Sequence, residues 1–256
     1  MSLDLRLSIV IPTLNEQANV ALAVQRAWGL QPLEVIVADG GSTDETATIA
    51  SAEGARVVHS SAGRGTQLNA GAIEASGDVL LFLHADTWLE PVAAQQIAAA
   101  LTSPQTVWGA FYQAIDATGW KYRALERGNA YRARRIGLPY GDQAIFVRRQ
   151  VFVAAGGFPD QPLMEDVDLS RRLRAQTMPV LLDGPLHTSA RRWQRQGVIR
   201  QTARNWAFLV LWRLGVSPTR LARWYRPHNS GVPSPAPIEL PTTARVPVGA
   251  RRSCDS

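Results

Sequence analysis

Over about the first hundred residues, short runs rich in leucine and β-branched residues alternate with longer alanine-rich stretches. The runs at 5–11, 33–38, 56–59 and 79–84 read as strands, near-continuously apolar as befits a sheet covered on both faces, and the stretches between them read as helices. This alternation points to βα units around a mostly parallel sheet flanked by helices, an α/β fold. Local signals mark the helix starts. Asn15-Glu16 opens the first, and Ser42-Thr43-Asp44-Glu45 has capping-box spacing with Ser42 as N-cap. A third begins near Thr66, Pro91 suits the first turn of a helix through Ala100, and 107–115 reads as a strand.

The pattern then changes. Residues 119–135 have helical spacing with aromatic and basic side chains, followed by Gly137-Leu138-Pro139-Tyr140-Gly141 and a strand at 143–148. Gly156-Gly157-Phe158-Pro159 reads as a turn, 165–175 as a helix and 180–183 as a short strand. The expected organisation is one domain over 1–190, divided into halves at 1–103 and 104–190. A helical arm follows at 191–227. Six of the sixteen prolines lie at or beyond Pro227 among Ser, Thr and Gly, so 228–256 is expected to be a disordered tail.

An apolar fraction of 46% in 27.9 kDa is enough for a sizeable core. The single cysteine, Cys254, excludes an internal disulfide and any cysteine-built metal site. No run of about 18 apolar residues occurs, and Met1-Ser2-Leu3 leads into a strand-like stretch without a signal-type segment, so a cytoplasmic protein is expected. The net charge of +6 is unevenly placed: 184–238 holds no acidic residue but nine arginines, from Arg191 to Arg226. Arginine far outnumbers lysine, of which Lys121 is the sole example. That preference suits forked recognition of phosphate, and codon bias is the competing explanation.

The loop after the first strand, Pro12-Thr13-Leu14-Asn15-Glu16, lacks the glycine fingerprint of a dinucleotide site, and no Walker sequence occurs. Polar groups instead gather where successive strands end, the edge at which open α/β sheets bind ligands: Asp39, then Gly63-Arg64-Gly65, then His84-Ala85-Asp86. One such aspartate is as well explained by loop capping as by function. Several in register favour a site, and Asp86 suits a divalent metal bridging a diphosphate, since Mg²⁺ or Mn²⁺ takes one or two carboxylates plus substrate phosphates.

Residues 8–16 (Ser-Ile-Val-Ile-Pro-Thr-Leu-Asn-Glu) and 37–44 (Val-Ala-Asp-Gly-Gly-Ser-Thr-Asp) resemble the opening of family 2 glycosyltransferases. The resemblance extends through Arg64-Gly65 with Gln67, Asn69 and Gly71, through 77–87, and through Glu165-Asp166-Val167-Asp168-Leu169. It ends at Arg192-Trp193, the terminal pair of a Gln-x-x-Arg-Trp motif, and covers about 5–226. The His-Ala-Asp-Thr and Ser-Ala-Arg-Arg-Trp forms are similar to a bacterial subfamily associated with arsenosugar biosynthesis. The resemblance implies a GT-A fold and inverting transfer of a sugar from a nucleotide sugar, a UDP-sugar, to an acceptor hydroxyl. It implies that Pro12, Thr13 and Glu16 line the nucleoside pocket, that Asp39 accepts a hydrogen bond from a uracil-like base, and that Arg64 faces the nucleotide. Asp86 is implied as ligand of Mn²⁺ or Mg²⁺, with His187 as a late histidine ligand, and Asp166 as the base that deprotonates the acceptor. Arg192 would neutralise the leaving diphosphate and Trp193 would offer an apolar face to sugar or acceptor. Two departures qualify the match. His84 stands where the first acid of an Asp-x-Asp motif usually sits, and Ser189 replaces the Gln of Gln-x-x-Arg-Trp, a motif of processive synthases, so one transfer per encounter is expected.

Plainer readings stand beside these. Glu165, Asp166 and Asp168 also read as the acidic first turn of a helix, paired with Arg171, Arg172 and Arg174. A lone histidine at a strand end, such as His187, is commonly just hydrogen-bonded. The stretch 198–226, with Trp206, Phe208, Leu209, Val210, Leu211 and Trp212 among arginines, is either a packing helix with snorkelling side chains or a helix lying peripherally on an anionic membrane. The acceptor, small or lipid-linked, is not legible. Nucleic acid is not an expected partner; the competing class is a non-catalytic nucleotide or nucleic-acid binder using the arginine arm. A nucleotidyltransferase would need a glycine-rich loop with a lysine after the first strand, and 12–16 has neither.

Overall fold

The structure is a computed structural model in which residues 5–190, 193–194 and 197–224 are described. Its core is β1 (Leu7–Thr13), β2 (Glu34–Asp39), β3 (Arg56–His59) and β4 (Val79–Phe82), all parallel, in the spatial order β3-β2-β1-β4. Alternation along these strands feeds two cores. Leu7, Ile9, Ile11, Val35, Val37 and Leu81 point to one face, and Val10, Ile36, Leu80 and Phe82 to the other. Helices α1 (Val20–Trp28) and α2 (Thr46–Ala52) cover the first face with α4 (Val92–Ala100). The second is covered by α3 (Arg64–Glu74), α6 (Arg149–Ala154) and α7 (Glu165–Arg174). Helix α3 approaches β1 closely at Gly71, where a Cβ would lie 2.4 Å from Val10 Cγ1.

The second half extends the sheet with mixed polarity. Strand β7 (Phe146–Arg148) runs antiparallel to both β4 and β6 (Trp108–Ile115); β8 (Val180–Thr188) is parallel to β6, and β5 (Thr87–Leu89) closes the far edge antiparallel to β8. The parallel arrangement expected from the first hundred residues therefore holds for β1–β4, and the sheet as a whole is mixed. Strand β8 continues well past the expected 180–183 because a register shift between the Phe111–Leu182 and Gln113–Leu186 pairs accommodates Gly184-Pro185. Strand β5 was not foreseen: three residues following a turn carry too little pattern.

Two helix starts also differ. Helix α1 begins at Val20, with Asn15 at φ 55° in the preceding loop. Ser42 does not cap α2, whose first residue is Thr46; its hydroxyl is bound to Asp39, and Asp44 instead accepts the Thr46 N–H at 3.0 Å. Helix α5 (Trp120–Tyr131) runs into a π turn at Arg132–Ile136, which Gly137 ends at φ 68°. The arm supplies α8 (Val198–Arg213) and α9 (Pro218–Trp224). The expected tail at 228–256 lies outside the described residues.

Candidate active site

The C-terminal ends of β1 and β2 are laced together. Asp39 is buried at the end of β2; its carboxylate accepts the N–H groups of Gly41 (3.1 Å) and Ser42 (2.9 Å), the Ser42 hydroxyl and, at 3.4 Å, the Thr13 hydroxyl. Burial pushes this carboxyl up, but the hydrogen bonds from Ser42 and Gly41 outweigh that and hold it below the ordinary carboxylate range. Asn15 bridges the two loops: its N–H donates to Ser42 Oγ (2.9 Å) and its Oδ1 accepts the Thr43 N–H (2.9 Å). Glu16 is half-buried, with its N–H on Thr46 Oγ1 (2.8 Å) and its carboxylate accepting from Asn19 (2.8 Å). Pro12 is half-buried and registers with Ala38. Beneath them the buried Gln67 donates to the carbonyls of Thr13 (2.6 Å) and Ala38 (3.0 Å), fixing the two strand ends relative to one another.

Arg64, the first residue of α3, donates through Nε to the buried carboxylate of Glu165, the first residue of α7. Burial pushes the Glu165 carboxyl up, opposed by the Arg64 charge beside it. The neighbouring Asp166 is oriented by the backbone: Oδ2 accepts the Gly141 N–H at 2.6 Å and Oδ1 the Val167 N–H at 2.8 Å. Each oxygen keeps a further lone pair. Arg64 and Asp166 line two adjoining spaces. One is a narrow crevice that reaches inward past His84 and Phe158; the other is a wider, open cleft bounded by Tyr140, Asp142, Met164, Asn205 and Phe208. Asp168 pairs with Arg171 (2.9 Å) and Arg172 (2.8 Å), and Arg172 donates to the carbonyls of Ala155 and Gly157, so this acid ties α7 to the glycine turn. Asn69 clamps the same turn through both main-chain groups of Phe158.

Gly141 is held in place by a buried network that the sequence did not reveal. Arg132 donates to Leu138 O (3.0 Å), Asn129 Oδ1 (2.8 Å) and Gln143 Oε1 (2.8 Å), and its guanidinium lies 3.5 Å from the Tyr140 ring centroid. In the run Arg132-Ala133-Arg134-Arg135 it reads as one more solvated charge. The Asn129–Arg132 spacing is the one local sign that both side chains share a helix face. Asp142, whose Oδ1 is buried without a hydrogen-bond partner, is the other acid of the cleft that the sequence left unmarked.

His84, Ala85 and Asp86 form a tight turn after β4. The Thr87 hydroxyl donates to His84 O (3.1 Å) and accepts the His84 N–H (3.2 Å), leaving the Asp86 side chain exposed. His187 lies across from Trp88 in the β5–β8 pair and stacks on it, with centroids 3.9 Å apart and planes 7° from parallel. Its Nδ1 is 3.4 Å from Asp116 Oδ1, and its Nε2 is buried, 3.7 Å from Glu90 Oε1 and without a hydrogen-bond partner. Among the described residues no three acids, histidines or cysteines converge as a ready-made metal cluster. Asp86, just before β5, offers an exposed carboxylate, and His187, opposite Trp88 in β5, a buried ring nitrogen without a hydrogen-bond partner; these are donor types that a divalent ion bound to a diphosphate would accept.

Trp193 is only 7% exposed and packs with Ile115, Ala190 and Val198, so its ring is engaged in a small core rather than lining either space. Arg192 lies outside the described residues.

Three comparisons bear on this arrangement. Glucosyl-3-phosphoglycerate synthase from Mycobacterium tuberculosis is 35% identical over 95 residues, covering 31% of this chain and 28% of that protein, so the match spans little more than a quarter of the curated relative. A crystal structure of that synthase with Mn²⁺, UDP and glucosyl-3-phosphoglycerate aligns with a TM-score of 0.51 at 22% identity, over 72% of this chain and 71% of that one. S. aureus TarS 1-349 in complex with UDP-GlcNAc aligns with a TM-score of 0.54 at 16% identity, over 72% and 58%. These likenesses show a shared GT-A fold. The model of glycosyl transferase family 2 matches residues 8–157, more than half of the chain, from β1 through the Gly156-Gly157 turn, and the chain belongs to that family.

Proposed function

We propose that the protein is an inverting glycosyltransferase that moves a sugar from a nucleotide sugar, a UDP-sugar, to an acceptor hydroxyl. The observation that carries this reading is the position of Asp166, oriented by two backbone N–H groups, in a cleft shared with Arg64 at the sheet edge where His84 also opens. Inverting displacement requires one base on the acceptor side and neutralisation of the departing diphosphate on the other. Asp166 takes the acceptor proton. Arg64, anchored by Glu165, contributes positive charge toward the nucleotide. The loops carrying Pro12, Thr13, Glu16 and Asp39 hold the nucleoside; the hydrogen bonds from Gly41 and Ser42 keep Asp39 rigid and ionised, and the base takes the place of the long 3.4 Å Thr13 contact.

Asp86 and His187 would hold Mn²⁺ or Mg²⁺, which supplies Lewis-acid stabilisation of charge on the diphosphate. The known structures of glucosyl-3-phosphoglycerate synthase with Mn²⁺ and UDP support a divalent ion for this fold. Among the described residues no helix is long and apolar enough to cross a membrane, and the reading places the enzyme in the cytoplasm with a small-molecule or lipid-linked acceptor.

Calorimetric titration of UDP, GDP and a short oligonucleotide, with and without Mn²⁺, into wild-type and Asp86→Ala protein tests the donor half. Selective, Mn²⁺-dependent UDP binding that the variant loses is the expected result. Oligonucleotide binding without nucleotide binding would instead favour the arginine arm as a nucleic-acid grip.

A further inference from the structure

Helix α8 has two unlike faces. Its inner face carries Phe208 and Leu209, both buried, and Asn205 and Phe208 form one wall of the cleft that holds Asp166. Trp212 on the same side lies 6.0 Å from the Arg171 guanidinium of α7, so the helix is mounted on the element that supplies Asp166. Its outer face is apolar and open: Ile199 is 65% exposed, Trp206 53%, Val210 49% and, just past the last turn, Leu214 76%. Spacings of seven, four and four put these four residues on one stripe of a helix. A contiguous exposed stripe of this kind marks an interaction surface, unlike single exposed side chains.

The charge around the stripe selects the partner. Arg200, Arg220 and Arg223 are exposed on α8 and α9, and 184–238 itself holds no acidic residue. Tryptophan and aliphatic side chains on one helix face, with exposed arginines and no carboxylate on the same arm, match an anionic bilayer surface, where the apolar stripe enters the headgroup boundary and guanidinium groups meet lipid phosphates. We propose that α8 docks this protein on an anionic membrane through Ile199, Trp206, Val210 and Leu214. The cleft is then set at the bilayer surface by the same helix, which makes the acceptor a hydroxyl carried on a lipid headgroup or lipid-linked group. That last step rests on the glycosyl-transfer reading; the docking itself does not.

The test uses the full chain with vesicles of mixed phosphatidylglycerol and phosphatidylcholine, and with phosphatidylcholine alone, in co-sedimentation at low and high salt. The wild type should partition onto the anionic vesicles only and be released by salt. Trp206→Glu combined with Val210→Glu should weaken partition at least about tenfold while melting temperature and UDP binding stay unchanged, because both side chains point away from the core and the cleft. Undiminished partition of this variant would overturn the proposal. So would absence of partition by the wild type, as expected if 225–256 covers the stripe, or a wild-type dimer in light scattering that the variant converts to monomer. UDP binding, measured on the same samples, separates failure of docking from failure of the donor site.

Discussion

Arg64 and Glu165, a hundred and one residues apart in sequence, meet as an ion pair between the first turns of α3 and α7, with the carboxylate buried and the guanidinium partly exposed. The pair joins α3, whose Arg64 is proposed to face the nucleotide, to α7, which carries the proposed base Asp166, in addition to the core that the two helices share. Arg64→Ala leaves a buried carboxylate without its counter-charge. Partial exposure of Arg64 keeps the expected cost to about 1–2 kcal/mol, below that of a fully buried pair. Adding Glu165→Gln should recover part of this loss, and a double-mutant cycle read by chemical denaturation measures the coupling.

The pH dependence contributed by the buried Glu165 carboxyl, as distinct from its pairing with Arg64, has a definite sign. Burial raises the folded-state value of Glu165 above its unfolded one, so its contribution is fully favourable below the ordinary glutamate range and declines as pH rises toward the raised value. Asp39 behaves oppositely: its value is lowered, so its stabilisation is full above the ordinary aspartate range and is lost as pH falls through the lowered value. Melting curves across the acid range should therefore show Glu165→Gln flattening the decline on raising pH, and Asp39→Asn flattening the loss on acidification. Asp39→Ala, which deprives the Gly41 and Ser42 N–H groups of their acceptor, should cost about 1–3 kcal/mol at neutral pH.

Asp166→Asn keeps one oxygen for the Gly141 N–H but deprives the Val167 N–H of its acceptor and cannot take a proton. Transfer should fall by about 10²–10⁴-fold in kcat while UDP affinity remains near wild type and stability falls by no more than about 1–2 kcal/mol. Turnover unchanged in a steady-state assay would remove Asp166 from the role and direct attention to Asp142, the other acid of the cleft.

Gly71→Ala tests the packing of α3 on β1. At an open helical site the change would stabilise by up to about 1 kcal/mol, but here the new Cβ would meet Val10 Cγ1, and overpacking should dominate at about 1–3 kcal/mol of destabilisation. A lower melting temperature confirms the close approach; a higher one contradicts it.

Most of the strands, and the polar groups at their ends, are legible from local pattern. Strands β1 to β4 are legible because a two-sided parallel sheet demands nearly unbroken apolar runs, and Asp39, Arg64 and Asp86 stand out because they lie at or within a few residues after the ends of such runs. Local signals failed where a side chain had a tertiary competitor. Ser42 has capping-box spacing, yet its hydroxyl goes to Asp39, and Gly184-Pro185 reads as the end of a strand that a register shift allows to continue. Which polar groups share a cleft depends on the folded chain. Arg132 is indistinguishable from its arginine neighbours until Asn129, Gln143 and Leu138 surround it, and Trp193 reads as a ligand platform until it is found packed in a core. The two faces of α8 are likewise separated only once α7 and the cleft wall claim one of them. Periodicity is a property of neighbours along the chain, whereas burial, charge pairing and access depend on residues brought together from a hundred positions away.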